Sequence, residues 1–464
     1  MYTQDTICAI ATAQGGAIGI IRISGPDAIS ITDRIFHPIG PSATPLTEHE
    51  PYTLTYGYIR NEEGEIIDEV LVGLFKAPHS YTGEDSVEIS CHGSSYILQQ
   101  VMQLLIRNGC RSAGPGEYTQ RAFLNGKMDL SQAEAVADLI ASSSAATHRM
   151  AMNQMRGGFS HELSTLRDKL LHLTSLMELE LDFSDHEELE FADRSELLDI
   201  TKEIEKVISK LIHSFSMGNA LKNGIPVAIV GETNAGKSTL LNTLLNEDKA
   251  IVSDIHGTTR DVIEDTINIQ GVLFRFIDTA GIRETHDRIE ALGIERSFQK
   301  LEQADIVLWV VDIQDAVAQI RKLSDRLFSL CKNKHLIVLL NKTDQSTSDL
   351  PNDLPLPANI TCLPISAKEK VGIDQLCNLL TETISLTKIN NNDVIVTNVR
   401  HYEALSHALQ DIHRVQDGLH NGLSGDFISQ DLRECLFHLS EIIGEGITTD
   451  EVLENIFKHF CIGK

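Results

Sequence analysis

The stretch that most restricts the fold is Ile225-Pro226-Val227-Ala228-Ile229-Val230, followed at once by Gly231-Glu232-Thr233-Asn234-Ala235-Gly236-Lys237-Ser238. A short, unbroken apolar run reads as a strand buried on both faces, the kind found in parallel sheets. The residues after it match G-x-x-x-x-G-K-[ST] between a strand and a helix, the setting that gives this motif its meaning. Glycines let backbone N–H groups close on phosphate, and the helix N-terminus adds a favourable dipole. Lys237 would meet the β- and γ-phosphates, and the Ser238 hydroxyl would bind Mg²⁺. The motif alone can arise by chance.

Three further elements follow in the order that phosphoryl transfer requires. Gly257-Thr258-Thr259-Arg260-Asp261 offers Thr259 as a hydroxyl ligand for the metal. Asp278-Thr279-Ala280-Gly281 follows the apolar run Phe274–Ile277, placing Asp278 near Mg²⁺ and the Gly281 N–H where it can sense a γ-phosphate. Asn341-Lys342-Thr343-Asp344 follows another apolar run, and the Asp344 carboxylate can accept both N1–H and N2–H₂ of guanine. Adenine offers neither donor, so the set selects GTP. Ser366-Ala367-Lys368 completes the base pocket through backbone N–H groups. The residue after Asp-Thr-Ala-Gly is Ile282, not the glutamine that orients the attacking water in Ras-type sites. Arg283, Glu284, Asp287 and Glu290 are nearby candidates, each read residue for residue as an exposed charge before a catalytic one. Spacing assigns no arginine finger.

Around this α/β segment the patterning changes. Residues 1–118 alternate apolar stretches such as Ala17–Ile23 and Val70–Phe75 with Gly/Pro turns, which predicts a strand-rich α+β domain with a loop at Tyr81–Asp85. From 119 to 217 the pattern is helical. Leu163, Leu166, Leu170, Leu173 and Met177 form one stripe, and Leu197, Ile200, Ile204, Val207, Leu211 and Phe215 another. Gly218–Gly224 is expected to break the helix and open an α/β domain over 218–388, ending near Asn390-Asn391-Asn392. Helical character returns over 389–464, with Ile428, Leu432, Cys435, Leu439 and Ile442 on one face and a capping box at Thr448–Glu451. The expected architecture is an α/β P-loop domain inserted into an all-α domain, behind an α+β N-terminal domain. A chain of 464 residues agrees, since one core rarely serves more than about 200.

A formal charge of −27 argues against a general nucleic-acid coat, so any RNA contact is local or shared with a partner. Seven carboxylates crowd into Glu178–Glu190 without Lys or Arg, the pattern of a solvated helix end. The eight cysteines form no C-x-x-C pair and no zinc-finger spacing, which favours reduced thiols in a cytosol. No apolar run reaches the ~18 residues of a membrane span, and Met1–Ile10 lacks a basic leader, so a soluble, unexported, cytoplasmic protein is expected.

With these motifs in place the chain resembles, end to end, the MnmE (TrmE) family of tRNA-modification GTPases. The resemblance runs through Asp5-Thr6-Ile7, Gly19-Ile20-Ile21-Arg22-Ile23-Ser24-Gly25, Thr82-Gly83-Glu84-Asp85, His92-Gly93, Pro115-Gly116-Glu117-Tyr118-Thr119 and Arg121-Ala122-Phe123-Leu124-Asn125-Gly126-Lys127. It ends on Phe460-Cys461-Ile462-Gly463-Lys464. It implies a Ras-like GTPase domain whose GTP contacts fall on Asn234-Ala235-Gly236-Lys237-Ser238-Thr239, Ser253-Asp254-Ile255-His256-Gly257-Thr258-Thr259, Asp278-Thr279-Ala280-Gly281, Asn341-Lys342-Thr343-Asp344 and Ser366-Ala367-Lys368. It implies a K⁺ site on Asn234, Ser253, Ile255 and Thr258, with K⁺ in the electrostatic role of an arginine finger when two such domains meet in a dimer. Glu290 matches the family's water-orienting glutamate. Thr233 departs from the family's usual proline, which touches loop rigidity and not the ligand.

The resemblance further implies a folate-binding, dimerising N-terminal domain that holds 5-formyl-tetrahydrofolate or a related one-carbon carrier through Arg22, Glu88, Lys127 and, from the C-terminus, Lys464. Without it these four read as ordinary surface charges. Cys461 is a nucleophile candidate or, equally, a structural cysteine under the last helix. The implied activity adds an aminomethyl or carboxymethylaminomethyl group to C5 of the wobble uridine of certain tRNAs, with the FAD-dependent partner MnmG (GidA) in a heterotetramer. GTP hydrolysis would drive rearrangement, not the carbon chemistry. Two other readings remain: a ribosome-assembly GTPase, which would carry a basic RNA-binding appendage not evident here, and a regulatory scaffold using GTP as a clamp.

Overall fold

The computed structural model describes residues 5–13, 15–40, 44–182, 194–248, 265–277, 301, 303–345, 354–357, 360–383, 394–445, 453, 456–458, 460 and 463. The chain divides into two compact units, one of residues 1–140, 154–204 and 407–464, the other of 141–153 and 205–406.

The first unit contains a seven-stranded sheet built from β1 (Ile7–Ile10), β2 (Ile18–Ser24), β3 (Phe36–Pro38), β4 (Leu54–Arg60), β5 (Ile66–Phe75), β6 (Ser86–His92) and β7 (Arg111–Ser112). Their order is β3-β4-β5-β6-β2-β1-β7, antiparallel except for the β1–β7 pair. Side chains alternate between the faces of a strand. Ile21, Ile23, Val70, Val72, Leu74, Val87 and Ile89 therefore all turn to one side, where they pack with Ile31, Leu98, Val101 and Leu105 of the helices Ala28–Ile35 and Ser95–Arg107. The alternate residues Arg22 and Glu88 are direct cross-strand partners on the other side.

One buried cation organises the segment that follows. Arg121, on the helix Glu117–Leu124, is 2% exposed and faces three carboxylates: Asp5 at 2.7 Å, Glu117 at 3.0 Å and Glu84 at 3.2 Å. Arg111 bridges Asp5 and Glu117 from outside, both at 2.6 Å. Hydrogen bonding from Arg111 chiefly, then from Arg121, holds the Asp5 carboxyl at about 2, against the opposing effect of burial. Burial raises Glu117, but hydrogen bonds from Arg111, the Gly114 N–H and Arg121 outweigh it and leave the group below its ordinary value.

The helical stripes are present with one shift of register. Leu163, Leu166, Leu170, Leu173 and Met177 are buried along the helix Gly158–Asp182, as are Ile428, Leu432, Cys435, Leu439 and Ile442 along Gly425–Ile443. On the helix Arg194–Asn223, however, the buried seam is Leu197, Thr201, Ile204, Ile208 and Leu211, while Ile200 and Val207 are only half-buried. A strict 3,4 alternation brings Thr201 inward, and its hydroxyl, bonded to the Leu198 carbonyl at 2.8 Å, makes that burial tolerable. The expected helix break at Gly218 is also corrected: the helix continues to Asn223 and stops at Gly224, whose φ is +82°. A glycine inside a helix costs about 1 kcal/mol. Here the space is needed, because a Cβ on Gly218 would overlap the Val396 carbonyl, and Ser214 one turn earlier accepts the Val396 N–H at 3.0 Å.

The second unit is an α/β sheet of β8 (Ile225–Val230), β9 (Asp265–Ile269), β10 (Val272–Ile277), β11 (Ile306–Asp312), β12 (His335–Asn341) and β13 (Thr361–Pro364). Their order is β13-β12-β11-β8-β10-β9, parallel except at the β9 edge. Both faces are buried, one over Val227, Ile229, Phe274, Leu308 and Leu339, the other over Ala228, Val230, Trp309, Val311 and Leu340. That is why these strands read as continuous apolar runs. Among the described residues no helix is long and apolar enough to cross a membrane.

Replacing Arg121 with Met leaves Asp5, Glu84 and Glu117 without their buried partner and is expected to cost about 3–5 kcal/mol, read from urea unfolding of the first unit. An unchanged midpoint contradicts the network. The depressed Asp5 group contributes stability above its ordinary value of 3.8, which is lost as pH falls from there toward about 2. An Asp5→Asn variant should therefore flatten that part of the acid-unfolding profile.

Candidate functional site

In an open parallel sheet, ligands gather at the carboxyl ends of the strands, beside the strand where the winding reverses. Here β8 is that strand, flanked by β11 on one side and β10 on the other. The loop from Gly231 to Gly236 leaves β8, and the helix Lys237–Asp248 begins directly after it. Asn234 sits in the left-handed region at φ +63°, a conformation asparagine accepts more readily than most residues. The Lys237 ammonium curls back over the loop and donates to the Gly231 and Glu232 carbonyls, both at 2.7 Å. Burial pulls its pKa below the ordinary lysine value, with the Glu232 carboxylate opposing. A partly desolvated cation closed over a ring of backbone groups is a site prepared for an anion.

Asn341, the last residue of β12, is 3% exposed and uses both ends of its amide. Its Nδ2 donates to the Ala235 carbonyl at 2.8 Å, and its Oδ1 accepts the Ala367 N–H at 3.0 Å. It therefore ties the phosphate loop to the 366–368 loop after β13. Gly236 makes the contact possible: its φ is +100°, and a Cβ there would overlap the Asn341 amide nitrogen. Thr243, on the helix after the loop, adds a second tie by donating to the Ala367 carbonyl at 2.8 Å.

The base-side residues converge at the same edge. Ser366 donates its hydroxyl to Asp344 Oδ1 at 2.6 Å and accepts the Glu369 N–H at 3.2 Å, which orients the exposed Asp344 carboxylate. The Thr343 N–H donates to the Ile365 carbonyl at 3.2 Å. Lys342, at φ +67°, sends its ammonium to Asp312 Oδ2 at 2.6 Å. Lys368 turns its side chain to solvent, leaving its backbone for the pocket. Thr239 and Ser238 lie in the first turn of the helix Lys237–Asp248. Thus Asn234–Thr239, Asn341–Asp344 and Ser366–Lys368 meet at one end of one sheet.

Ser253, Asp254, Ile255, His256, Gly257, Thr258, Thr259, Asp278, Thr279, Ala280, Gly281 and Glu290 lie outside the described residues, as do Cys461, Lys464 and the capping box at 448–451. Three participants escaped the motif reading: Thr243, Asp312 and the Ser366 side chain, to which only backbone contacts were assigned. A signal existed for Asp312, which is the polar residue that ends an apolar strand, just as Asn341 is.

The first unit holds a separate polar locus. Arg22 binds Glu88 at 2.8 Å, lies 5.7 Å from the Tyr81 ring centroid and 5.8 Å from that of Tyr118, and donates to the Gly463 carbonyl at 3.2 Å. Lys127 donates to the Pro78 carbonyl at 2.9 Å, at the base of the loop that carries Tyr81. Arg22 and Glu88 therefore meet each other and the chain's C-terminal end, while Lys127 meets the loop beside them.

A phosphate loop on the switch-point strand, with a carboxylate-bearing base pocket at the neighbouring strand ends, defines a P-loop GTPase. The family model described as the GTP-binding protein TrmE N-terminus matches residues 6–127, and that of the MnmE helical domain matches 130–461. A tRNA modification GTPase MnmE of Bacteroides thetaiotaomicron is 68% identical over 468 residues, covering 99% of this chain and 100% of that protein. One of Flavobacterium johnsoniae is 51% identical over 472 residues, covering 100% of both. A solved Era variant of Aquifex aeolicus bound to GDP and AlF4⁻ is 28% identical over 40% of this chain and 66% of its own, at a TM-score of 0.25, too low to bear on the fold. This chain belongs to the MnmE family of tRNA modification GTPases.

Gly236→Ala should lower nucleotide affinity by roughly a hundredfold or more, because strain at positive φ adds to displacement of Asn341. A fluorescent-nucleotide titration reads this directly, and wild-type affinity would show that the brace is dispensable.

Proposed function

We propose that the chain hydrolyses GTP at the site formed by Asn234–Thr239, Asn341–Asp344 and Ser366–Lys368, and that this hydrolysis serves modification of the tRNA wobble uridine. The observation that carries the reading is the Asn341 brace, which unites an anion cradle and a guanine-type acceptor in a member of this family. Asp344, fixed by Ser366, accepts N1–H and N2–H₂ of the base. Lys237 and the loop N–H groups neutralise the β- and γ-phosphates. The Ser238 hydroxyl at the helix start would hold Mg²⁺, together with Thr259 and Asp278, which lie outside the described residues; when bound it would balance the charge on the β- and γ-oxygens.

K⁺ would be held by oxygen donors of Asn234, Ser253, Ile255 and Thr258, of which the last three lie outside the described residues. The exposure and left-handed backbone of Asn234 support this by presenting its polar groups at the outer edge of the loop. K⁺ would supply the positive charge an arginine finger gives elsewhere, on contact between the GTPase domains of a homodimer, with Glu290 orienting the water. The GTPase domain is read as 218–388, inserted between helical segments 119–217 and 389–464, behind an N-terminal domain 1–118.

That N-terminal domain is read as a folate-binding fold. The half-buried Arg22–Glu88 pair, flanked by two tyrosine rings, suits a flat heteroaromatic ligand with an N–H edge and an anionic tail, such as 5-formyl-tetrahydrofolate. Lys127 and Lys464 would add positive charge, and the position of Gly463 on Arg22 supports an approach by the chain end. Cys461, outside the described residues, is a nucleophile candidate or, equally, a structural cysteine. With the FAD-dependent subunit MnmG in a cytoplasmic heterotetramer, the product is a carboxymethylaminomethyl or aminomethyl group on uridine C5. The tRNA contact is local or shared, as the charge of −27 requires.

GTP turnover compared in K⁺ and in Na⁺ at equal ionic strength tests the hydrolytic mechanism. A rise of about tenfold or more in K⁺ is expected for one preorganised charge at the transferred phosphate. Equal low rates defeat it and favour the clamp-like scaffold. Unchanged wobble nucleosides in tRNA from cells lacking the chain defeat the modification reading.

A further inference from the structure

The sheet order places β11 between β12, which carries Asn341-Lys342-Thr343-Asp344, and β8, which carries the phosphate loop. Asp312 ends β11 and pairs in register with Asn341, so Lys342 begins one residue beyond the last strand pair. The Lys342 ammonium reaches back to Asp312 Oδ2 at 2.6 Å, with the two side chains 26% and 17% exposed. Its four-carbon stem therefore crosses the strand ends in the direction from the base loop toward the phosphate loop.

Asp312 is itself held from both sides. Its Oδ1 accepts the Gln314 N–H at 3.1 Å, and its own N–H donates to Gln319 Oε1 at 3.2 Å, Gln319 being 9% exposed. The Lys342 backbone is meanwhile set in the left-handed region. A lysine stem is ordinarily a flexible chain; anchored at both ends, it becomes a preformed apolar strip. Its charge is also spent on Asp312, which leaves phosphate neutralisation to Lys237.

We propose that Asp312 is a positioning residue for base recognition: it holds Lys342 extended so that the methylene stem forms one wall of the pocket that takes the guanine ring. The inference rests on the nucleotide-site reading above and adds the group that shapes one side of it.

The test uses the full chain, with fluorescent GDP titration and steady-state GTP hydrolysis for Asp312→Asn, Asp312→Glu, Lys342→Met, the Asp312→Asn/Lys342→Met double variant and Asp344→Asn. Asp312→Asn should weaken GDP binding and raise KM about tenfold with kcat within about twofold, the signature of lost preorganisation. Asp312→Glu, which keeps the charge, should recover part of the loss. The double variant should bind no more weakly than Lys342→Met alone, since Asp312 acts through that lysine. Unchanged affinity in Asp312→Asn overturns the proposal, and so do losses that multiply in the double variant, because an independent structural brace would give them. An Asp344→Asn variant that binds GDP like the wild type would instead defeat the base-pocket reading itself.

Discussion

Asn341 is the contact on which the GTPase site depends. Its buried amide has one donor and one acceptor direction committed, to the Ala235 carbonyl and the Ala367 N–H, so the loops that hold phosphate and base cannot move independently without stranding buried polar groups. Each such group left unpaired costs about 1–3 kcal/mol. Gly236 gives the amide room, Thr243 doubles the tie to Ala367, and Ser366 extends it to the Asp344 carboxylate. The loop 231–236 and the segments 341–344 and 366–368 are thereby coupled mechanically.

The first unit uses charge where the second uses an amide. Arg121 is buried among Asp5, Glu84 and Glu117, and the same helix supplies Thr119 to Tyr81 and Tyr118 to the Arg22 carbonyl. Breaking a buried pair from one side is far more damaging than never having built it. The network thus fixes the loop 80–85 and, through Tyr81, the environment of Arg22. The C-terminal segment belongs to this unit: Phe457 is packed with Leu130 and Ala133, and Gly463 lies against Arg22.

Much of this was legible in the sequence because the relevant signals are local. A phosphate loop needs its glycines and lysine at fixed spacing, and strands buried on both faces declare themselves as apolar runs, so β8, β10 and β12 were found. Helix faces were legible to within a turn; the Thr201 seam was missed because a hydroxyl satisfied by its own helix behaves as a core residue, which a polarity pattern does not show. Gly218 was misread for the opposite reason. Its glycine answers a close approach by Val396, a contact of long sequence separation, and not a break in the chain. Asp312 and Thr243 are also long-range partners, 30 residues from Lys342 and 124 from Ala367 respectively, so no window along the sequence brings either pair together.

The Asn341 brace is tested most sharply by the GDP affinity of an Asn341→Ala variant, measured by calorimetry beside hydrogen exchange at Ala367. Because two buried backbone groups lose their partner, affinity should fall by roughly a hundredfold and the Ala367 amide should exchange faster. GDP binding within twofold of the wild type, with Ala367 still protected, would show that the phosphate and base loops are held together by something other than Asn341.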